Sequence, residues 1–204
     1  MLLETRGCQD YDAHDLPPDL PDLGLRYHAH LPVDLPWELG PRAVSDALSV
    51  LEQKIAFLYP CGYVLHPPSP GELTRLLEIR PGLADFLCLE NTRDSDLSEV
   101  WEEVAALDLG VCLDVGHLVA YGQERILQIP GFLDRVRMLH IYGGESALGH
   151  AGLDRLPDPE LLRGILGKVA GDSVLVVEIF RMDEFRRSLA LLRSWLDEWG
   201  MAHD

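Results

Sequence analysis

The feature that most limits what this chain can become is an alternation. Six short apolar runs, LRYHAHLP, YVLHPP, LCLENT, GVCLDVGH, VRMLHIYG and SVLVVEIF, recur at intervals of one strand-plus-helix unit. Between and after them lie longer amphipathic stretches that read as helices, over residues 41–58, 70–85, 95–108, 123–135, 157–170 and 182–200. Strands that are apolar along their length need helices on both faces, and repeated strand–helix units demand right-handed crossovers and a parallel sheet. In the helix over 95–108, Ser95 reads as the N-cap, with Ser98 and Glu99 in the first turn. Gly200 closes the last helix.

The predicted fold class is α/β, a TIM (β/α) barrel shortened at its N-terminus. A closed barrel has eight strands. Six are recognisable here, and MLLETR at the N-terminus is a candidate seventh. Residues 10–24 are rich in Pro and Asp, so 1–24 reads as an irregular segment replacing the first units. No linker or repeat divides the chain, and residues 1–204 are expected to form one domain.

Each apolar run turns polar only at its C-terminal end. His28 and His30 end the first, His66 the second, Glu90 the third and Asp114 the fourth, with His117 just beyond. His140 ends the fifth, His150 follows in the next loop, and Glu178 ends the sixth. In a parallel barrel all C-terminal strand ends open on one face, where active sites form. Carboxylates gathered there repel one another, and burying them unpaired costs several kcal/mol each. A divalent cation removes that cost, and mixed imidazole and carboxylate donors suit Zn, Mn, Fe or Co better than Ca or Mg. Zn or Mn is expected first. Taken singly, each residue has a plainer reading: Glu178 could pair with an Arg, and Asp114 could cap the following helix.

Composition narrows the partners. The formal charge is −17, from 34 acidic and 17 basic residues, and no basic run interrupts it. Such a surface repels phosphate backbones and anionic membranes, so the expected partner is a small molecule, with neither nucleic acid nor membrane. Phosphate binding would need a cation to invert the local field. The four cysteines form no CxxC pair, and Cys88 and Cys112 lie in apolar runs as buried thiols. This points to a reducing cytoplasm. An open barrel edge near the N-terminus would favour a homodimer or a cover formed by residues 1–24.

The motifs HLP (30–32), LHP (65–67), LEN (89–91), DVGH (114–117), LHIYG (139–143) and VVEIF (176–180) occur in an order that resembles the xylose isomerase-like barrels, which include the AP endonuclease family 2 group. The resemblance covers about residues 25–181. In the isomerase and epimerase branch it implies one metal held by Glu90, Asp114, His140 and Glu178. There the two glutamates move protons beside a carbonyl, and His117 touches substrate. In the endonuclease branch it implies that His30 and His66 bind a further ion and that Glu90 bridges two ions. Hydroxide held between the cations would then attack phosphorus. A third ion there takes a DxH pair, of which His150 matches the His while Leu148 stands at the Asp position. His30 and His66 favour a hydrolase of a small-molecule phosphoester. The segment YHAHLPVDLPW is similar to that of cobamide-remodelling phosphodiesterases, which implies a corrinoid nucleotide loop as substrate. Glu90, Glu178 and His117 are the candidate catalytic residues, and His28, Arg93 and Arg155 the candidate substrate contacts. The alternatives are a single-metal sugar or keto-acid isomerase and a non-catalytic binding barrel.

Overall fold

The structure is a computed structural model that describes residues 16–146 and 149–203. The candidate strand MLLETR, His14 and Leu148 lie outside the described residues. The chain divides into two compact units, one of residues up to 90 with 97–110, the other of residues 91–96 with those from 111 onward.

The first unit holds three parallel strands, β1 (Ala29–His30), β2 (Tyr63–Leu65) and β3 (Leu87–Glu90). Ala29 lies opposite Tyr63, and Leu65 opposite Leu89. Helix α1 (Pro41–Ile55) starts on Pro41, whose fixed φ suits a first turn. It buries Val44, Leu48, Leu51 and Ile55, a stripe at helical spacing. Helix α2 (Glu72–Ile79) buries Leu73, Leu76 and Leu77. Its N-terminus is capped from another helix, α3 (Trp101–Ala106). There Glu103 accepts hydrogen bonds from Gly71 N (2.8 Å), Thr74 N (2.5 Å) and Thr74 Oγ1 (2.7 Å). A carboxylate at that position meets orphan N–H groups and the positive end of the helix dipole. Beyond Ile79 the chain turns into a 3-10 segment, Pro81–Phe86, because Pro81 pushes Arg80 out of the helical region to φ −133, ψ 67.

Two helices differ from expectation. Ser95 is not the N-cap of α3: it is bridged to Thr92, whose N–H donates to Ser95 O at 2.7 Å. Leu97 then sits at φ 69, which no helix accommodates, and α3 begins only at Trp101. Residues 123–135 form no α-helix but two 3-10 turns, Glu124–Gln128 and Leu133–Arg135. Pro130 and Gly131 (φ 78) break the path between them.

The second unit holds three more parallel strands and a hairpin. The parallel strands are β4 (Gly110–Asp114), β5 (Val136–Ile141) and β8 (Val174–Val177). Asp114 lies opposite His140, and His140 opposite Val176. Strands β6 (Glu145–Ser146) and β7 (Gly149–His150) pair antiparallel, with Glu145 directly opposite His150. Helix α4 (Val115–Ala120) follows β4 without a loop, and Asp114 Oδ1 caps it by accepting from His117 N at 2.6 Å. Asp158 caps α5 (Pro159–Leu166) in the same way through Leu161 N. Helix α6 (Met182–Trp199) ends, as its sequence predicts, on Gly200 in the left-handed region. Cys88 and Cys112 are buried. Among the described residues no helix is long and apolar enough to cross a membrane.

Candidate metal centre

In the first unit the ends of all three strands meet. His30 ends β1, His66 follows β2 by one residue, and Glu90 ends β3. His30 Nε2 lies 2.9 Å and His66 Nε2 3.1 Å from the same oxygen, Glu90 Oε2. Ligand atoms of the three residues all lie within 4.8 Å of one another. The Glu90 side chain is 2% exposed, so its charge is almost wholly desolvated. His30 Nδ1 lies 2.8 Å from Leu31 O. A carbonyl only accepts, so in the neutral ring Nδ1 carries the proton and Nε2 turns its lone pair towards Glu90. Lone pairs of two donors facing each other in a buried site favour a cation between them.

The second unit repeats this pattern twice. His117 Nδ1 donates to Asn91 O at 3.0 Å, and its Nε2 lies 3.4 Å from Glu145 Oε1. His150 Nδ1 donates to Glu178 O at 2.8 Å, and its Nε2 lies 3.8 Å from the same Glu145 oxygen. Tyr142 completes the group. Its ring is fully buried and stacked on His150, with centroids 3.8 Å apart, and its hydroxyl donates to Glu145 Oε1 at 3.0 Å. Burial first, then the charges of Asp114 and Glu145, push the Tyr142 hydroxyl far above its ordinary range, so it stays a neutral donor. Beside this group His140 Nδ1 lies 3.2 Å from Glu178 Oε2. Asp114, at the end of β4, is fixed through its backbone: Asn91 Oδ1 accepts from its N–H (2.8 Å) and Asn91 Nδ2 donates to its carbonyl (3.0 Å).

Of the residues singled out in the sequence, the structure brings His30, His66 and Glu90 together in one unit and places Asp114, His117, His140, His150 and Glu178 in the other. The candidate substrate contacts fare differently. His28 is half-buried just before β1. Arg93 is exposed, its guanidinium 5.6 Å from the centre of the Tyr121 ring. Arg155 is exposed in a 3-10 turn, Leu153–Arg155. The residue that sequence reasoning missed is Glu145. Its only signal was a carboxylate five residues before His150, on the far side of a hairpin too short to recognise.

No family model and no curated protein matches the chain. Solved structures do. Endonuclease IV from Thermus thermophilus is 23% identical, with a TM-score of 0.57 over 86% of this chain and 77% of that one. A D-tagatose 3-epimerase-like protein is 16% identical, with a TM-score of 0.59 over 96% and 84%. The IolI protein with a zinc atom is 15% identical, with a TM-score of 0.57 over 96% and 82%. These likenesses show the fold, a shortened TIM barrel.

Proposed function

We propose that this chain is a divalent-metal-dependent enzyme acting on a small molecule, and that it hydrolyses a phosphoester. The observation that carries the metal is the shared wiring of three histidines. His30, His117 and His150 each give Nδ1–H to a backbone carbonyl and turn Nε2 to a carboxylate oxygen. Ligand histidines are wired in this way, because the carbonyl fixes the tautomer and raises ring basicity. The donor sets fit Zn or Mn. Two imidazoles and a carboxylate stand ready in the first unit, and Glu145 supplies His117 and His150 with the carboxylate absent at Leu148. His140, Glu178 and Asp114 offer a further mixed set. Zinc ligands stand about 2.0–2.2 Å from the ion, so the 2.9 and 3.1 Å contacts need open only by a few tenths of an ångström.

Cations held there would activate water and stabilise charge on phosphoryl oxygens. The residues themselves do the rest. Glu90, desolvated and flanked by two imidazoles, supplies fixed negative charge. Tyr142 holds Glu145 in place as a neutral donor. The acidic surface disfavours polyanions, which points to a small phosphodiester, a corrinoid nucleotide loop being one such substrate, in a cytoplasmic protein.

The test is metal content by mass spectrometry together with turnover of bis(p-nitrophenyl) phosphate, on wild type, His66→Ala and Glu145→Gln. At least two ions per chain are expected in wild type, one fewer in each variant, and hydrolysis lowered at least 100-fold in His66→Ala. A metal-free wild type would overturn the proposal. The contact between His140 and Glu178 supports a second reading, a single-metal isomerase. It predicts one ion per chain, insensitivity to His66→Ala, and solvent deuterium entering a ketose substrate.

A further inference from the structure

The first unit carries a second concavity that the metal chemistry does not use. A cavity of about 500 Å³ opens between Glu52, Tyr63, Arg80, Gly82 and Phe86. Tyr63 opens β2, and Phe86 directly precedes β3, so the cavity sits at the N-terminal ends of these strands. His66 and Glu90 stand at the other ends. Three residues of extended chain separate Tyr63 from His66, roughly 10 Å at about 3.3 Å per residue. A molecule in this cavity therefore occupies a place of its own.

Its walls are specific. The Tyr63 and Phe86 rings form a tilted aromatic corner, centroids 6.4 Å apart at 58°, and Phe86 is 44% exposed. Ile79, Leu83 and Pro60 continue the apolar lining. Arg80 Nη2 bonds Glu52 Oε2 at 2.5 Å, while Arg80 Nη1 is buried without a hydrogen-bond acceptor among the described residues. A buried donor of this kind costs about 1–3 kcal/mol until something accepts from it. Glu52 beside it repels an anion, and Arg80 repels a cation. What fits is a neutral ligand that accepts from Arg80 and donates to Glu52 along one edge while its faces lie on apolar and aromatic walls.

We infer that this cavity binds a flat, uncharged heterocycle whose edge carries a hydrogen-bond acceptor beside a donor, as in nucleobases and cyclic amides. The volume lies within the range of small-molecule sites and accommodates a bicyclic ring with a substituent. The inference does not rest on the metal reading.

The probe is 2-aminopurine, which has such an edge, followed by saturation-transfer NMR. Indene, of the same shape without polar atoms, is the comparison. Gly82 offers a clean blocking variant, since a Cβ there meets nothing within 4 Å and its φ is ordinary. The Gly82→Trp protein should keep the wild-type melting temperature and metal content yet bind 2-aminopurine at least ten-fold more weakly. Arg80→Met should remove the preference for 2-aminopurine over indene. Equal binding to wild type and Gly82→Trp, equal binding of the two probes to wild type, or no transfer at millimolar 2-aminopurine would each overturn the inference.

Discussion

Gly116 tests how tightly the second unit's cluster is built. It lies in the first turn of α4, beneath the Tyr142 ring. A Cβ placed on it would stand 2.1 Å from Tyr142 Cζ and 2.3 Å from Cε2. Carbon contacts are comfortable near 3.5–4.0 Å, so the ring must retreat by more than about 1 Å. It has nowhere to go, being fully buried and stacked at 3.8 Å on His150. Overpacking of this kind costs about 1–3 kcal/mol. Displacing the ring also breaks the bond from its hydroxyl to the Glu145 carboxylate, which adds about 1 kcal/mol at a half-exposed partner. Gly116→Ala should therefore lose about 3 kcal/mol. With a urea slope of about 2 kcal/mol/M, the unfolding midpoint falls by about 1.5 M. A Gly116→Ala/Tyr142→Leu protein should be no less stable than Tyr142→Leu alone, because the clash is gone. A midpoint shift under about 0.25 M in Gly116→Ala, or additive losses in the double variant, would refute the close packing of glycine and ring.

Asn91 is fully buried and serves Asp114 N–H, Asp114 O and Gln123 Oε1. Asn91→Ala should cost about 3 kcal/mol in urea titration by stranding those groups. Glu103→Ala removes the cap of α2 and should cost about 1–2 kcal/mol, with faster amide exchange at Thr74 than elsewhere in α2. The Tyr142 hydroxyl ionises far above pH 10 when folded and near 10 when unfolded. Its contribution to stability is complete below pH 10 and is lost as pH rises beyond it. Tyr142→Phe should lower stability at pH 8 by about 1 kcal/mol and flatten the decline above pH 10 in unfolding curves followed to pH 11.5.

The strand ends were legible because a parallel sheet opens its C-terminal ends on one face and nothing else in an apolar run explains His30, Glu90 or His140. Burial on both faces makes such runs uniformly apolar, so the polar residue that ends each stands out. The helices were less legible where a single residue overrides periodicity. Leu97 at φ 69 displaces the start of α3, and Pro130 with Gly131 divides a stretch whose spacing suggested one helix. Glu145 was hidden for another reason. Its partnership with His150 and Tyr142 depends on a hairpin of two-residue strands, whose pairing leaves no periodic trace.

The wiring of the histidines was hidden more deeply, since it runs through backbone carbonyls that carry no residue identity. The three carbonyls belong to Leu31, Asn91 and Glu178, each the first residue beyond a parallel strand: β1, β3 and β8. Strand ends are where the ladder stops and carbonyls must find other donors. An imidazole that satisfies one through Nδ1 turns its Nε2 to a carboxylate, Glu90 at a strand end for His30 and Glu145 of the hairpin for His117 and His150. The need to satisfy a backbone acceptor and the need to aim a ligand are met by one contact. The same parallel architecture that places His30, His117 and His150 therefore also sets their tautomer. Replacing the carboxylates would leave those three rings in place, whereas moving the strand ends would not.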